Sequence, residues 1–328
     1  MSTYVYLNGN LAPSDQAAVS VFDAGFLHGA STFTTMYAHN GKVFRLDRHL
    51  ARLMDTVKTL ELRTDATEAS LTQAVYRLLR ANGMSRFVPP KGSTGGTAAE
   101  FAAVAEMPEE LPPVDEFLTD APAGDDAGKP LGDARMRLTI TPGSVHGGVP
   151  TTLVTAEPLP PYPAAWYEKG VTVIVSSFKE SPADPIFGNK TGCYLPRILA
   201  RQEAAHKGAE EALWFTTENH LAEACFNNVF LVFKGTVYTP PRDTPVLPGI
   251  VREAVLELCS QLDIPSNDQM PLTVKEMLLA DEVFLTGSTT GIRPVARIER
   301  HAVAEEKPGP ITRRLMDAYR ELVERETK

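Results

Sequence analysis

The sequence has few cysteines and no long apolar run, and each scarcity excludes a class of protein. Its 328 residues include only three cysteines, Cys193, Cys225 and Cys259, which lie outside any C-x-x-C spacing. This odd number argues against a disulfide framework and against a structural zinc site. No apolar stretch approaches the roughly 20 residues that cross a membrane, and residues 1–4 lack the features that begin a signal peptide. We therefore predict a cytoplasmic protein with reduced thiols, no bound metal and no membrane association.

Positive charge is scarce as well. The 32 Lys and Arg residues against 41 Asp and Glu give a net charge of −9, and no basic run offsets this locally, so nucleic acid is not an expected partner. The sequence also lacks a G-x-G-x-x-G motif and a P-loop motif, which disfavours a Rossmann sheet. The length and the 43% hydrophobic content are instead typical of a globular chain of about two domains.

Residues 86–132 differ in composition from the rest of the chain. These 47 positions contain seven Pro, six Gly, nine acidic and only three basic residues. Such a segment can bury little apolar surface. We predict an inserted loop at 86–132, and an ordered subdomain is the alternative.

The patterns around this segment predict an α+β fold with two domains. Residues 1–157 predict a small α/β domain, with a hairpin, two amphipathic helices and a pair of strands. Residues 158–167 are rich in proline and predict a linker between domains. Residues 168–328 predict a larger, barrel-like domain. Its expected strands and helices are at 171–178, 195–205, 211–215, 228–233, 250–262 and 282–285.

Lys190 lies between an irregular segment and the predicted start of a helix. One interpretation is an ordinary surface lysine. The other is a lysine that forms a Schiff base, because burial disfavours the ammonium form and leaves a neutral amine to attack an aldehyde. The second interpretation requires matching neighbours in the fold.

Glu223 is a candidate for such a neighbour, since it precedes an apolar strand in otherwise uncharged company. It either points to water, or it is buried and holds a protonated pyridine nitrogen, which makes the ring an electron sink. Two loops are candidate phosphate sites. Residues 245–250 lead directly into a predicted helix, and residues 286–291 are rich in Gly, Ser and Thr.

Five motifs occur in order along the second half of the chain. They are Lys190-Thr-Gly-Cys-Tyr-Leu, Glu223-Ala-Cys-Phe-Asn-Asn-Val-Phe, Leu247-Pro-Gly-Ile-Val-Arg252, Asp281-Glu-Val-Phe-Leu-Thr-Gly-Ser-Thr and Arg293-Pro-Val. Together with residues 44–53, they resemble the class IV pyridoxal-phosphate enzymes, which comprise branched-chain aminotransferases, D-amino acid aminotransferases and aminodeoxychorismate lyases. The resemblance spans nearly the whole chain except residues 86–132. It implies the two-domain fold type IV architecture, in which the larger, pseudobarrel-like domain binds pyridoxal 5'-phosphate.

The resemblance also implies roles for individual residues. Lys190 would bond to the cofactor and later move the substrate proton, Tyr194 would donate to the ring oxygen, and Glu223 would pair with the ring nitrogen. The implied phosphate ligands are Arg52, the amides of Ile250 and Val251, and the hydroxyls of Ser288 and Thr289.

The substrate residues are less well specified by the motifs. Arg137 and Arg293 are candidates to bind a substrate carboxylate, with structural salt bridges as the alternative for both. Phe33 and Tyr37, in the first hairpin, are further candidates for substrate contact. Branched-chain aminotransferases typically show Phe-Glu-Gly-x-Arg here, whereas residues 33–37 are Phe-Thr-Thr-Met-Tyr, and the Phe-Thr-Thr stretch resembles the lyases.

We therefore predict an aminotransferase that moves an amino group between a branched-chain-like amino acid and a 2-oxo acid. The alternative is an aminodeoxychorismate lyase, which releases pyruvate and 4-aminobenzoate. A third hypothesis is a cofactor-binding protein without turnover. The resemblance further implies a homodimer with its cleft near the subunit boundary.

Overall fold

The computed structural model describes residues 3–87 and 131–328. Apart from its ends, the predicted loop at 86–132 therefore lies outside the described residues. The elements of the first part are β1 (Tyr4–Leu7), β2 (Asn10–Pro13), α1 (Ala24–His28), β3 (Thr32–His39), β4 (Lys42–Val43), α2 (Leu46–Thr59), α3 (Glu68–Ala81), β5 (Ala134–Thr141) and β6 (Thr151–Pro158).

The six strands of this part form one antiparallel sheet in the order β2-β1-β6-β5-β3-β4. Helices α2 and α3 cover one face of it, because leucines recur on one side of each helix at helical spacing. Leu50 and Leu78 from the two helices pack against Met36 and Met136 of the sheet in one fully buried core. The opposite face of β3, which carries Phe33, remains free to meet the rest of the molecule.

The second part carries a larger mixed sheet. Its elements are α4 (Ala165–Glu168), β7 (Val171–Glu180), α5 (Leu195–His206), β8 (Glu211–Thr216), β9 (Leu221–Ala224), β10 (Asn228–Phe233), β11 (Thr236–Tyr238), α6 (Ile250–Gln261), β12 (Ser266–Asn267), α7 (Val274–Leu278), β13 (Glu282–Gly287), β14 (Gly291–Ile298), β15 (His301–Ala302) and α8 (Pro310–Glu326). The strand order is β12-β11-β10-β13-β14-β7-β8-β9, with β15 paired to β14. Strands β7 and β8 run parallel, as do β14 and β7, and most other pairs are antiparallel.

These two sheets confirm the predicted α+β class. The larger sheet begins at Val171, and residues 159–170 connect it to the smaller one. The proline-rich connection is not a bare linker, because α4 forms at its end. The domain limits at 157 and 168 stay a prediction.

Candidate active site

Lys190 lies where the two sheets meet. Its carbonyl accepts hydrogen bonds from the amide of Phe33 (3.0 Å) and the hydroxyl of Thr32 (2.9 Å), both at the start of β3. Two residues later, the amide of Gly192 donates to the carbonyl of Ser31 at 2.8 Å. A Cβ at Gly192 would overlap the Ser31 hydroxyl, so only glycine allows this close approach. The backbone of Lys190 is thus fixed against the smaller sheet.

The side chain of Lys190 is half-buried among aromatic rings. Its Nζ donates to the hydroxyl of Tyr194 at 3.0 Å and lies 4.9 Å from the ring centre of Phe33. Burial lowers the pKa of Lys190, and the positive charge of Arg52 adds to this effect, while Tyr194 opposes it. A lower pKa makes the neutral, nucleophilic amine more available near neutral pH. This is not the environment of an ordinary surface lysine.

Glu223, on β9, is 6% exposed, so the interpretation in which it points to water is wrong. Its Oε2 accepts from the amide of Leu247 (3.0 Å) and from Nδ2 of Asn228 (3.2 Å). Its Oε1 accepts from Arg197 at 2.7 Å. These contacts tie the carboxylate to the loop that the sequence marks as a phosphate site.

Arg197, on α5, lies between two buried carboxylates. Its Nη2 also donates to Oε1 of Glu180 at 2.5 Å. Burial alone would lower the pKa of Arg197, but the charges of Glu223 and Glu180 more than compensate and raise it. Burial raises the pKa of Glu180 to about 8, against the opposing effect of Arg197.

Arg52 approaches the same loop from α2. Its two Nη atoms donate to the carbonyl of Pro248 (3.0 Å) and to the hydroxyl of Thr34 (3.1 Å). Thr34 in turn lies 2.8 Å from Nδ1 of His49. Burial lowers the pKa of Arg52 to about 10 and that of His49 to well below its ordinary value. His49 is therefore neutral, and its Nδ1 can accept from Thr34 while Thr34 accepts from Arg52.

One predicted phosphate loop, residues 245–250, contacts Arg52 through Pro248 and Glu223 through Leu247. The other, residues 286–291, lies beside Asn227, whose Nδ2 donates to the Thr290 hydroxyl at 3.2 Å. Helix α6 begins at Ile250 and Val251, and its N-cap, Gly249, has no side chain to bond the first amides. Such amides, at the positive end of a 12-residue helix, suit an anion. Ser288 and Thr289 form the turn between β13 and β14. The hydroxyl of Tyr162 donates to Thr289 at 3.0 Å.

The four substrate candidates separate into two groups. Arg137 belongs with the lysine, because its guanidinium carbon lies 3.6 Å from the ring centre of Phe33. Tyr37 instead donates to Asp133 at 2.7 Å. Arg293 is 3% exposed, lies 3.5 Å from Glu211 in an ion pair and donates to Asn227 at 2.9 Å.

The structure therefore brings Lys190, Tyr194, Phe33 and Arg137 together, with Glu223 and Arg52 anchored nearby on residues 247–248. No hydrogen bond or ring contact within the described ranges joins Tyr37 or Arg293 to Lys190. For Arg293 the arrangement favours the structural salt bridge.

Sequence reasoning missed several polar residues that support the site. His49 lies inside the quoted stretch 44–53, so a signal for it was present. Asn228 also lies inside a quoted motif, residues 223–230, and Thr34 lies inside the stretch 33–37. Arg197 carried no such signal, because its importance comes from Glu180 and Glu223, which are distant in sequence.

No group of three or more His, Cys, Asp and Glu side chains in residues 3–87 and 131–328 could hold a metal ion. No helix there has both the length and the apolar character needed to cross a membrane.

Comparison with known proteins identifies the family. The profile of the amino-transferase class IV family matches residues 31–107 and 102–298. A putative branched-chain-amino-acid aminotransferase of Methanocaldococcus jannaschii is 28% identical over 97% of this chain and 96% of its own. The branched-chain-amino-acid aminotransferase of Escherichia coli K12 is 26% identical over 99% of this chain and 94% of its own.

Solved structures agree on the fold. The crystal structure of the Escherichia coli branched-chain amino acid aminotransferase superposes with a TM-score of 0.81, at 24% identity, over 100% of this chain and 97% of its own. The branched-chain aminotransferase of Thermoproteus uzoniensis, solved with norvaline, gives a TM-score of 0.78 at 26% identity, over 100% and 97% of the two chains. The predicted fold type IV architecture is thereby confirmed. The chain belongs to the class IV aminotransferase family.

Proposed function

We propose that this protein transfers an amino group between a branched-chain-like amino acid and a 2-oxo acid, using pyridoxal 5'-phosphate. The observation that carries the proposal is the half-buried Nζ of Lys190, 3.0 Å from the Tyr194 hydroxyl. Glu223 and Arg52 lie close enough for their charges to influence the pKa of this amine. This cofactor requires three groups from the protein: a reactive amine for its aldehyde, a buried carboxylate for its ring nitrogen, and a positively charged site for its phosphate.

The donors present fit the cofactor's chemistry. Its phosphate would be held by the guanidinium of Arg52, the free amides of Ile250 and Val251, and the turn at Ser288 and Thr289. Glu223 would pair with the ring nitrogen, Tyr194 with the ring oxygen, and Lys190 with the aldehyde carbon. When bound, the cofactor supplies an electron sink for the electrons of the Cα–H bond of the substrate.

The side chains of this protein would move the proton, orient the amine and bind the substrate. The Nζ of Lys190, whose pKa is lowered by burial, is suited to take the proton from the substrate Cα and to hold it for delivery to the former aldehyde carbon of the cofactor. The hydroxyl of Tyr194 orients Nζ through their hydrogen bond. The guanidinium of Arg137, stacked on Phe33, would bind the substrate carboxylate and hold Cα within reach of Lys190.

Two observations support a branched-chain-like substrate. The relatives described above carry that activity in their names. The ring of Phe33 borders both Lys190 and Arg137, so an apolar surface lies beside the groups that would hold the substrate. The same relatives favour transamination over the lyase.

An absorption experiment tests the proposal. We expect the purified protein to bind pyridoxal 5'-phosphate and to change its spectrum when leucine, isoleucine or valine is added, with the original spectrum restored by a 2-oxo acid. Lys190→Ala should abolish both changes, because the amine is lost. Lys207→Ala is the matched control, since Lys207 is an exposed lysine paired with Glu203.

Two results would contradict the proposal. Protein that takes up no cofactor would exclude the chemistry altogether. Pyruvate release from aminodeoxychorismate without any 2-oxo acid acceptor would replace transamination by the lyase reaction.

The proposal extends to a cytoplasmic homodimer. Large apolar side chains are exposed next to the site: Phe226, which stacks on Tyr194, is 45% exposed, and Leu195 is 65% exposed. Exposed apolar surface of this kind is typical of an interface. Light scattering should give twice the mass of the chain, and a monomer would refute the dimer.

The three free cysteines support the cytoplasmic part of the proposal, because unpaired thiols are typical of a reducing compartment.

A further inference from the structure

Arg197 has no part in the motifs or in the reaction proposed above, yet it lines the same small cavity as Tyr194, Glu223 and Leu247. It lies near the start of α5, three residues after Tyr194. Besides its two glutamates, it donates through Nη1 to the carbonyl of Ala224 at 3.0 Å. The guanidinium is therefore held in a single orientation by several acceptors.

The charges around Arg197 favour its pairing with Glu223. Glu180 is 0% exposed, and burial raises its pKa to about 8. Burial thus favours the neutral form of Glu180, and Arg197, at 2.7 Å from Oε1 of Glu223, is the cation in contact with that carboxylate. A buried carboxylate without such a cation would tend to take up a proton itself.

The two oxygens of Glu223 are not equivalent. Oε2 already accepts two hydrogen bonds, from Leu247 and Asn228, whereas Oε1 has Arg197 as its single partner among the described residues. Since a carboxylate oxygen can accept about two hydrogen bonds, Oε1 is the atom with room for one more donor.

We infer that Arg197 is the positioning residue for Glu223: it fixes Oε1 and balances the carboxylate charge, so that Glu223 can pair with the protonated ring nitrogen of pyridoxal 5'-phosphate. The inference rests on the proposed function. It assigns Arg197 no contact with the substrate. Its effect reaches the reaction only through Glu223.

The test measures cofactor binding rather than turnover. Wild-type and variant proteins are stripped of cofactor and titrated with pyridoxal 5'-phosphate while the absorption spectrum is recorded. Arg197→Gln can still donate to the backbone carbonyls but has no charge. We expect it to weaken binding by about tenfold or more, as groups that orient a ligand commonly do, and to shift the absorption maximum. Arg197→Lys should restore the wild-type maximum.

Arg45 provides the matched control. It also lies between two glutamates, at 2.5 Å from Glu257 and 3.1 Å from Glu326, but it joins α2 to α6 and α8 instead of the cofactor residues. Arg45→Gln should lower the melting temperature without changing the absorption maximum. If Arg197→Gln binds the cofactor with the wild-type affinity and spectrum, the inference is wrong. If the wild type itself binds no cofactor, the proposed function has failed instead.

Should Arg197→Gln alone fail to fold, the double variant with Glu223→Gln can still be compared with Glu223→Gln, because it leaves no buried carboxylate unpaired at position 223. Glu223→Gln removes the carboxylate on which Arg197 would act, so adding Arg197→Gln to it should change cofactor affinity by less than about twofold. A further tenfold loss in the double variant would show that Arg197 acts by another route, and would overturn the inference.

Discussion

Replacing Arg52 by lysine keeps the positive charge but removes the planar fork of donors, and the structure predicts what this change does. Two Nη atoms of Arg52 already serve the protein, one on the Pro248 carbonyl and one on the Thr34 hydroxyl. Because a guanidinium has five N–H donors and these two bonds use two of them, three remain for a phosphate. An ammonium has three donors, so the same two bonds would leave one.

The magnitude follows from this count. Arg52→Lys would lose about two charged hydrogen bonds to the phosphate, each worth roughly 1.5 kcal/mol at the lower end of the usual range. The resulting loss of about 3 kcal/mol corresponds to a roughly 150-fold weaker affinity for pyridoxal 5'-phosphate. Binding of pyridoxal, which has no phosphate, should change by less than about threefold, since the lost bonds concern the phosphate alone.

The assay compares both ligands on one protein. Stripped wild type and variant are titrated with pyridoxal 5'-phosphate and with pyridoxal, and the ratio of the two dissociation constants is the measured quantity. Arg48→Lys is the control, because Arg48 lies one turn earlier on α2 and pairs with Glu253 at the exposed surface. An unchanged ratio in Arg52→Lys, or an equal loss for both ligands, would refute the assignment of Arg52 to the phosphate.

Four further changes have defined outcomes. Met136→Ala should lower the free energy of unfolding by about 2–5 kcal/mol in urea denaturation, because Met136 is fully buried in the smaller core; a smaller loss would mean that the core closes around the cavity. Gly249→Ala should weaken cofactor binding in the same titration, since its Cβ would overlap the side-chain amide of Asn228, whereas unchanged affinity would show that Asn228 can move freely. Arg137→Met should raise the KM for the amino acid about tenfold or more with a smaller effect on kcat, and an unchanged KM would leave the substrate carboxylate with another partner. Burial raises the pKa of Glu180 to about 8 from its ordinary 4.5. At pH values between these two, the folded protein therefore keeps a proton that the unfolded chain has lost. The free energy of unfolding should therefore fall as pH rises through this window in the wild type, by about 1 kcal/mol or more relative to Glu180→Gln, and parallel pH profiles would contradict this reading of Glu180.

Much of the fold was predictable because its patterns are local. The leucines of α2 and α3 recur at helical spacing, and the strands β7, β8, β10 and β13 are β-branched or aromatic runs, so these elements were expected near their observed limits. Strand β14 was not predicted, because Pro294 interrupts it. In the structure, β14 tolerates this proline because its pairing with β7 begins only at Val295.

The helix α8 was missed for a different reason. Its buried residues Leu315, Tyr319 and Leu322 recur at helical spacing, so a signal was present, but many of the other positions in this 17-residue helix are charged and drew attention away from it. Within the site, Lys190 and Glu223 were found through motifs that are continuous in sequence. Arg197 and Thr34 depend on partners more than a dozen residues away in the chain, and no local pattern records such pairs.

The bonds that join Lys190 to Thr32 and Phe33, and Gly192 to Ser31, limit how this enzyme could move. If the two sheets separated during a catalytic cycle, the hydrogen bonds on the Lys190 carbonyl would be among the first to break. We therefore expect the backbone of Lys190 to stay fixed relative to both sheets. Its amine would then move only by rotation about the four torsions of its own side chain. Slow exchange of the Phe33 amide with deuterium, persisting through turnover, would be the signature of such a fixed anchor.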